Sequence, residues 1–210
     1  MSSKRESNAA RIKYKALEYV LNESKGKNFD DIQVVDICKH VGVSKVTFFK
    51  YFTRKEDLLL YYKTILTLKI IIQLSEKKLE GIIALRLLVQ QFAVEYVERP
   101  SLILGMINYF THSLNYISPM RVKFAERTLF FPGAESVEYE LISLDELVEQ
   151  HMLDVVFKKQ SSLSANSKQL SEVFLSTLYG ALVMCRLRGS EHPSLFLFQV
   201  LGTVFPNIRG

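Results

Sequence analysis

Side chains that can bind DNA stand close together between Ser44 and Tyr51. Lys45, Thr47 and Lys50 carry hydrogen-bond donors that suit base edges and phosphate oxygens, and the Tyr51 phenol suits a phosphate. The chemistry available to this stretch is therefore recognition by hydrogen bonding.

These side chains need a helix to present them, and the surrounding residues predict one. Ile37 lies on the apolar face of a first short helix, which Gly42 can end because glycine tolerates a left-handed backbone. Ser44 suits the N-cap of a second helix, whose Phe48 and Phe52 repeat at i and i+4 on its inner face. A helix, a glycine turn and a second helix form the helix-turn-helix pattern, whose second helix enters the major groove of DNA. On this spacing alone, an ordinary corner between two helices remains the alternative.

A longer pattern surrounds this corner and fixes the residue type at many offsets. It comprises Arg11, Ile12, Ala16, Leu17, Phe29, Ile37, Cys38, Gly42, Val43, Ser44, Thr47, Phe48, Phe49, Tyr51, Phe52, Lys55, Glu56, Leu58 and Leu59. Over residues 11–59 the pattern resembles the TetR family of bacterial transcription regulators. The resemblance implies an all-α protein of about nine or ten helices: an N-terminal three-helix, helix-turn-helix DNA-binding domain and a helical ligand-binding and dimerisation domain. We place the DNA-binding domain at residues 1–53 and the regulatory domain at residues 54–210.

The resemblance also indicates which residues contact DNA. The expected set is Gln33, Ser44, Lys45, Val46, Thr47, Phe49, Lys50, Tyr51 and Lys55. Lys45, Thr47 and Lys50 are expected at base edges or nearby phosphates, with Ser44 beside them. Gln33, Tyr51 and Lys55 are expected at phosphates, where they would set the register of the protein on the duplex.

Two departures from the family pattern predict an altered contact with the phosphate backbone. Ile32 and Gln33 stand where the family often has two threonines, so a hydroxyl is missing at the start of the second helix. Gln33 can offer its amide instead, although it caps a helix less well. Phe49 stands where a Tyr is usual, so it is expected to contact a thymine methyl group or a sugar rather than donate a hydrogen bond.

Positive charge is concentrated near the N-terminus. The 210 residues carry a net charge of +5, and residues 1–57 hold 12 Lys and Arg against 8 Asp and Glu, a net +4. This region would contact the phosphate backbone of DNA, although a basic surface that only faces solvent would have the same composition. The sequence contains no glycine-rich phosphate loop, nucleophile elbow or HExxH motif, so we predict neither an enzyme nor a cofactor. His151 and Asp154 could supply half a metal site, but we predict no metal.

Several features predict a cytoplasmic protein. The N-terminus lacks the apolar segment of a signal peptide. Cys38 and Cys185 lie far apart in apolar helical contexts and are predicted to be reduced, buried thiols. The apolar run over residues 58–74 is interrupted by Lys63 and Lys69, so it is predicted to be a buried helix rather than a membrane span.

Beyond residue 58 the chain is predicted to be helical almost throughout, because its Pro and Gly residues fall between apolar segments. The predicted helices span residues 54–79, 82–98, 101–117, 120–130, 141–159, 167–188 and 193–206, with a loop at 131–140 and a linker at 161–167.

Two apolar stripes on the late helices predict a dimer interface. They comprise Leu144, Val148, His151 and Val155 on one helix and Leu175, Leu178, Leu182 and Cys185 on the next. The stripes can pack on each other within one chain or on a second copy in a four-helix bundle. In the TetR family the corresponding helices form the dimer, so the resemblance favours the second copy. A homodimer would also present two recognition helices about 34–36 Å apart on one face of DNA.

Large apolar side chains with few polar tips are frequent in the middle helices. They comprise Phe92, Tyr96, Met106, Tyr109, Phe110, His112, Tyr116 and Phe124. This composition suits a pocket for a hydrophobic or aromatic molecule, although an ordinary core would look similar. The resemblance favours a repressor that leaves its DNA operator when such a ligand shifts the long helix that starts near residue 54. Two alternatives stay open: control by a protein partner through residues 131–140 or the late helices, and a helical interaction protein that no longer reads DNA.

Overall fold

The computed structural model describes residues 3–111, 119–134, 140–158 and 166–208. Within these ranges the chain forms ten α-helices, two short 3-10 helices and no strand, so the all-α prediction is confirmed. The helices are α1 (Lys4–Glu23), α2 (Val34–Val41), α3 (Lys45–Phe49), α4 (Asp57–Lys77), α5 (Gly81–Glu98), α6 (Pro100–Thr111), α7 (Phe124–Phe130), α8 (Leu144–Phe157), α9 (Ser167–Arg188) and α10 (Pro193–Val204), with 3-10 helices at Phe29–Asp31 and Pro206–Ile208.

The helix ends agree with the predicted ones to within a few residues. The largest difference is at α7, which starts at Phe124 rather than residue 120 because residues 119–123 are not helical. There the Met120 amide donates to the Thr64 hydroxyl at 3.1 Å, and Lys123 has an extended backbone. Residues 112–117 of the predicted helix 101–117, residues 135–139 of the predicted loop and residues 161–165 of the predicted linker lie outside the described ranges.

The chain divides into two compact units, each built from two separate segments. The first unit comprises Met1–Lys69 and Arg99–Glu138, and the second comprises Ile70–Glu98 and Tyr139–Gly210. The first unit therefore holds α1, α2 and α3 together with α6 and α7 from the middle of the chain. The assignment of DNA binding to residues 1–53 and regulation to residues 54–210 concerns function and stays a prediction.

Aromatic side chains form the centre of the first unit. Phe48, Phe52 and Tyr61 are fully buried, and their rings follow one another at centroid distances of 5.4 and 5.6 Å. Leu17 of α1 and Ile37 of α2 are also fully buried, and α2 packs against both α1 and α3. Each of these large side chains contributes about 1.5–3 kcal/mol through burial.

The second unit has α8 and α9 packed on each other. Both helices begin with a capping box, in which Ser143 pairs with Glu146 and Asn166 pairs with Gln169. These reciprocal bonds satisfy amides at the helix starts that have no partner within the helix. Gly189 ends α9 in a left-handed conformation with φ of 57°, which glycine adopts without strain.

Two helices, Asp57–Lys77 and Ser167–Arg188, are long and apolar enough to span a membrane by length and composition alone. The most apolar 18-residue stretch of α4 is 67% buried within the protein, as expected for a core helix. The most apolar 18-residue stretch of α9 is only 44% buried, which leaves an apolar face of this helix exposed. Cys38 and Cys185 are both buried, as predicted, and both are free thiols.

Candidate DNA-binding site

The turn between α2 and α3 has the geometry that the sequence predicts. Gly42 has φ of 77° and ψ of 39°, a left-handed conformation in which a residue with a Cβ would be strained. The amides of Gly42 and Val43 both donate to the Cys38 carbonyl, at 2.9 and 3.0 Å, and so close the end of α2. The chain therefore turns from α2 into α3 over the three residues 42–44.

Ser44 is the N-cap of α3, as predicted. Its hydroxyl accepts from the Thr47 amide at 3.2 Å and lies 3.1 Å from the Thr47 hydroxyl. This bond satisfies one of the free amides of a helix only five residues long. The two hydroxyls pair with each other in the free protein, and both remain close to the surface.

One face of α3 is buried and the other is open to solvent. Phe48 is completely buried and anchors the helix on the core. Lys45 and Lys50 are exposed, as is Val46 at 70%, and Phe49 is 44% exposed beside the Phe48 ring. The structure thus brings four of the predicted contact residues onto one accessible surface.

Gln33 occupies the N-cap position of α2 without capping it. Its amide nitrogen donates to the Asp31 carbonyl at 3.4 Å, and its side chain makes no bond to the first amides of the helix. The departure from the threonine pair therefore leaves the first turn of α2 without a side-chain acceptor from its N-cap residue. Free amides at a helix start are suitable donors to a phosphate.

Lys55 has a different environment from the one expected of a phosphate ligand. Its ammonium group donates to the carbonyl oxygens of Phe29, Asp30 and Ile32, at 3.1, 2.9 and 3.2 Å. The nitrogen also lies 4.8 Å from the centre of the Phe29 ring. Because an ammonium has three hydrogens, these carbonyls use its full donor capacity. Lys55 therefore fixes the segment that leads into α2, and this geometry does not favour the predicted phosphate contact.

Arg54 is a basic residue that the sequence pattern did not single out. Its side chain is 64% exposed, and its guanidinium donates to the Tyr109 hydroxyl at 2.9 Å and lies 3.8 Å from the Asp57 carboxylate. The available signal was its place directly before Lys55, in the charged turn that follows the helix-turn-helix. Tyr109 and Asp57 hold the guanidinium in place while part of it stays accessible.

Comparison with known proteins agrees with this architecture. One structure of similar fold is reduced NemR from E. coli, which is 16% identical; the match covers 92% of this chain and 97% of that chain, with a TM-score of 0.52. Another is a TetR-family regulator from Agrobacterium tumefaciens, which is 14% identical; the match covers 97% of each chain, with a TM-score of 0.54. A proposed transcriptional regulator from Rhodococcus sp. RHA1 is 14% identical; the match covers 96% of this chain and 95% of that chain, with a TM-score of 0.56. At such identities the likeness shows the fold. No curated protein matches the sequence.

A family model matches part of the sequence. Residues 25–62, which contain α2, α3 and the turn between them, match the family model described as bacterial regulatory proteins, tetR family. Over these residues the chain resembles the TetR family. The resemblance seen in the sequence is thereby confirmed.

The predicted pocket residues are spread over both units. Phe92 and Tyr96 are buried in the second unit, on α5, whereas Met106 is buried in the first unit, on α6. His112 and Tyr116 lie outside the described residues. The pocket stays a prediction.

The remaining pocket candidates lie beside cations or solvent in the first unit. The Tyr109 ring lies 5.6 Å from the Arg54 guanidinium, and the Phe110 ring lies 4.6 Å from the Lys63 ammonium. Phe124 is 58% exposed at the start of α7. Tyr109 therefore contacts the DNA-binding segment directly, a role that its sequence pattern did not indicate.

The predicted dimer stripes lie inside a single chain. Leu144, Val148, Val155, Leu175, Leu178, Leu182 and Cys185 are all buried between the helices of the second unit, and His151 is half-buried. Side chains buried within one chain leave no surface for a second copy, so the internal-core alternative applies to them.

The opposite faces of α8 and α9 carry exposed apolar side chains instead. On α9 these are Val173, Val183 and Leu187, and on α8 they are Leu153, Val156 and Phe157. Outside its own helix, no heavy atom lies within 4 Å of where a Cβ would stand at Gly180, so the middle of the α9 face is open. We call the exposed apolar face of α8 and α9 formed by these seven residues the outer face.

His151 lies on α8 with its Nδ1 atom 3.7 Å from the Asp154 carboxylate. Burial lowers the pKa of His151, and the carboxylates of Asp154 and Glu80 act in the opposite direction. Among the described residues, no group of three or more His, Cys, Asp and Glu side chains is placed to hold a metal ion.

Proposed function

We propose that this protein is a homodimeric, sequence-specific transcription regulator that reads its operator with α3. The observation that carries the proposal is the position of α3. It follows a left-handed glycine turn, is anchored by the buried Phe48, and exposes Lys45, Val46 and Lys50 together. A short helix held this way presents side chains to the edges of base pairs in the major groove.

The exposed residues divide into base contacts and phosphate contacts. Lys45 and Lys50 have the length and charge to reach acceptor atoms of guanine or nearby phosphates, and Ser44 and Thr47 supply short hydroxyls. Phe49 and Val46 offer apolar surface to a thymine methyl group. These side chains support readout of sequence in addition to attraction by charge.

Phosphate contacts would fix the register of α3 along the duplex. Gln33, Tyr51 and the amides of the first turn of α2 are the expected donors. Arg54 joins this set because Tyr109 orients its guanidinium and its side chain is largely exposed. Lys55 leaves the set, since its donors are used by carbonyl oxygens of its own chain.

A second copy of the chain is the proposed occupant of the outer face of α8 and α9. Phe157 and Leu187 are among the most exposed large apolar side chains, at 82% and 72%. The open space above Gly180 would allow a partner helix to approach closely. Packing two copies through this face would form a four-helix bundle with two-fold symmetry. A dimer is also what a palindromic operator requires.

The proposed regulation is release from the operator by a small hydrophobic or aromatic molecule, with the protein acting as a cytoplasmic repressor. Support comes from α4, whose residues contribute to both compact units and could carry a shift of the helix. Such a ligand must bind the DNA-incompetent state more tightly, and tenfold derepression needs about 1.4 kcal/mol of difference. A ligand that binds the dimer and leaves operator affinity unchanged at fixed salt would contradict this mechanism.

Fluorescence anisotropy with Lys45→Ala and Lys50→Ala tests DNA recognition. We expect each substitution to cost about 1–3 kcal/mol on the operator and to relax the preference for it. A protein without sequence readout would instead bind every duplex alike, with weak affinity that depends only on salt. Equal reductions in affinity on operator and scrambled DNA would favour that second outcome.

A further inference from the structure

Glu126 is a buried carboxylate that connects three helices of the first unit. It lies on α7 and is only 2% exposed. Its two oxygens lie 3.2 and 3.3 Å from the Lys13 ammonium of α1, and the Tyr61 hydroxyl of α4 donates to it at 2.6 Å. An ion pair in this setting is costly to break, because removal of one partner leaves the other charged and buried.

The surroundings keep this cluster closed to solvent. The Lys13 side chain is 15% exposed, and its nitrogen also lies 5.4 Å from the centre of the Tyr61 ring. Phe130, one helical turn after Glu126, packs on Tyr14 at a centroid distance of 4.9 Å and on Tyr61 at 6.0 Å. Burial, together with the neighbouring Glu126 carboxylate, raises the pKa of Tyr61, so its hydroxyl remains a donor.

Tyr61 leads directly to the recognition helix. Its ring contacts Phe52 at 5.6 Å, and Phe52 contacts Phe48 of α3 at 5.4 Å. All three rings are fully buried, so none can move without displacing its neighbour. Contact therefore runs without interruption from Glu126 to the residue that anchors α3.

We infer that Glu126 is a positioning residue for DNA recognition, which holds α7 against α1 and α4 and thereby fixes the orientation of α3. The inference rests on the proposed DNA-binding function. It makes α7, which lies far beyond the predicted boundary at residue 53, a working part of the DNA-binding unit. Lys123, directly before α7, provides a matched comparison, because it also reaches α1, through an ion pair with Glu6 at 3.0 Å that is largely exposed.

The test compares Glu126→Gln, Tyr61→Phe and the control Lys123→Gln in the full-length protein. Hydrogen exchange of the peptide covering residues 44–52, measured without DNA, reports how firmly α3 is held. Operator and scrambled-duplex affinities are measured at a temperature where melting curves show every variant folded. Tyr61→Phe keeps the Lys13–Glu126 pair, so it serves as the test if Glu126→Gln does not fold.

We expect faster exchange in residues 44–52 for Glu126→Gln and Tyr61→Phe, with exchange in α10 unchanged. Operator affinity should fall roughly threefold to thirtyfold while binding to scrambled DNA is retained. Lys123→Gln should resemble the wild type, since exposed ion pairs contribute little.

Two results would overturn the inference: wild-type exchange in residues 44–52 for the folded variants, or an equal reduction of operator affinity for Lys123→Gln. A wild-type protein that prefers no sequence would instead refute the proposed function. The exchange measurement would then still decide whether Glu126 holds α3.

Discussion

Replacement of Lys55 by Met separates a structural role from a phosphate contact. The substitution keeps most of the aliphatic chain, so packing against the Phe29 ring is largely retained. It removes the ammonium that binds three carbonyl oxygens between residues 29 and 32. These carbonyls lie in the turn just before α2, so their release should loosen the start of that helix.

The magnitude follows from the exposure of the three bonds. The bonds to Phe29 and Ile32 are partly buried, whereas the bond to Asp30 is exposed and water can replace it. Counting about 1–1.5 kcal/mol for each partly buried bond and little for the exposed one, the free energy of unfolding should fall by about 2–3 kcal/mol. Urea denaturation at one fixed protein concentration measures this decrease, because the stability of a dimer depends on concentration.

The salt dependence of operator binding then distinguishes the two roles. Removing one charged side chain from a phosphate should reduce the slope of log K against log salt by about 0.9. We expect Lys55→Met to weaken stability and leave this slope unchanged. Arg54→Gln is the matched comparison, because Arg54 belongs to the proposed phosphate contacts. It should reduce the slope and, since its bond to Tyr109 is exposed, leave stability close to that of the wild type. Full stability together with a reduced slope for Lys55→Met would refute the structural role.

Three further substitutions test other parts of the structure. Leu187→Glu on the outer face should convert the dimer to a monomer in sedimentation velocity, whereas the control Ile83→Glu, at an apolar residue that is also exposed but lies on α5, should remain dimeric. If both variants remain dimeric, the outer face is not the dimer interface. Ser44→Ala should lower the free energy of unfolding in urea by about 1 kcal/mol, because the Thr47 amide is left without its cap, and an unchanged urea midpoint would argue against the cap. Burial keeps the folded-state pKa of His151 below its ordinary 6.5, so unfolding takes up a proton and stability should fall as pH drops below that value. His151→Gln should flatten this decline in urea titrations between pH 7.5 and pH 5.5 (about one unit on either side of an ordinary histidine pKa), and an equally steep decline would rule out His151 as its source.

The helix-turn-helix could be predicted because neighbouring residues define it. Gly42 closes α2 through its own left-handed backbone, and Ser44 caps α3 through an amide three residues away. Both effects act within a few positions along the chain, so residue type and spacing are sufficient to recognise them. The helix boundaries beyond residue 58 could also be predicted from local residue types and their spacing.

The packing of the late helices could not be predicted, because α9 is apolar on two faces. Leu178 and Leu182 lie on one face and Val183 and Leu187 on the other, and both sets satisfy a helical period. A period identifies a stripe but does not say whether the same chain or a second copy covers it. Only the burial of each residue in the folded chain distinguishes the internal stripe from the exposed one.

The roles of Lys55 and Glu126 depend on residues distant in the sequence. Lys55 meets carbonyls that precede it by more than twenty positions, and Glu126 meets a lysine 113 positions earlier. Nothing in the local pattern at either residue indicates these partners. Both interactions arise from the way that the first unit combines segments far apart along the chain.

Selection of binding sites from random duplex DNA tests the central claim most directly. We predict one enriched sequence with two-fold symmetric half-sites, bound roughly a thousandfold or more tightly than a scrambled duplex at the same salt concentration. The preference should disappear when Lys45 and Lys50 are both replaced by Ala. Failure to enrich any sequence, with equal wild-type affinity for all duplexes, would contradict the account.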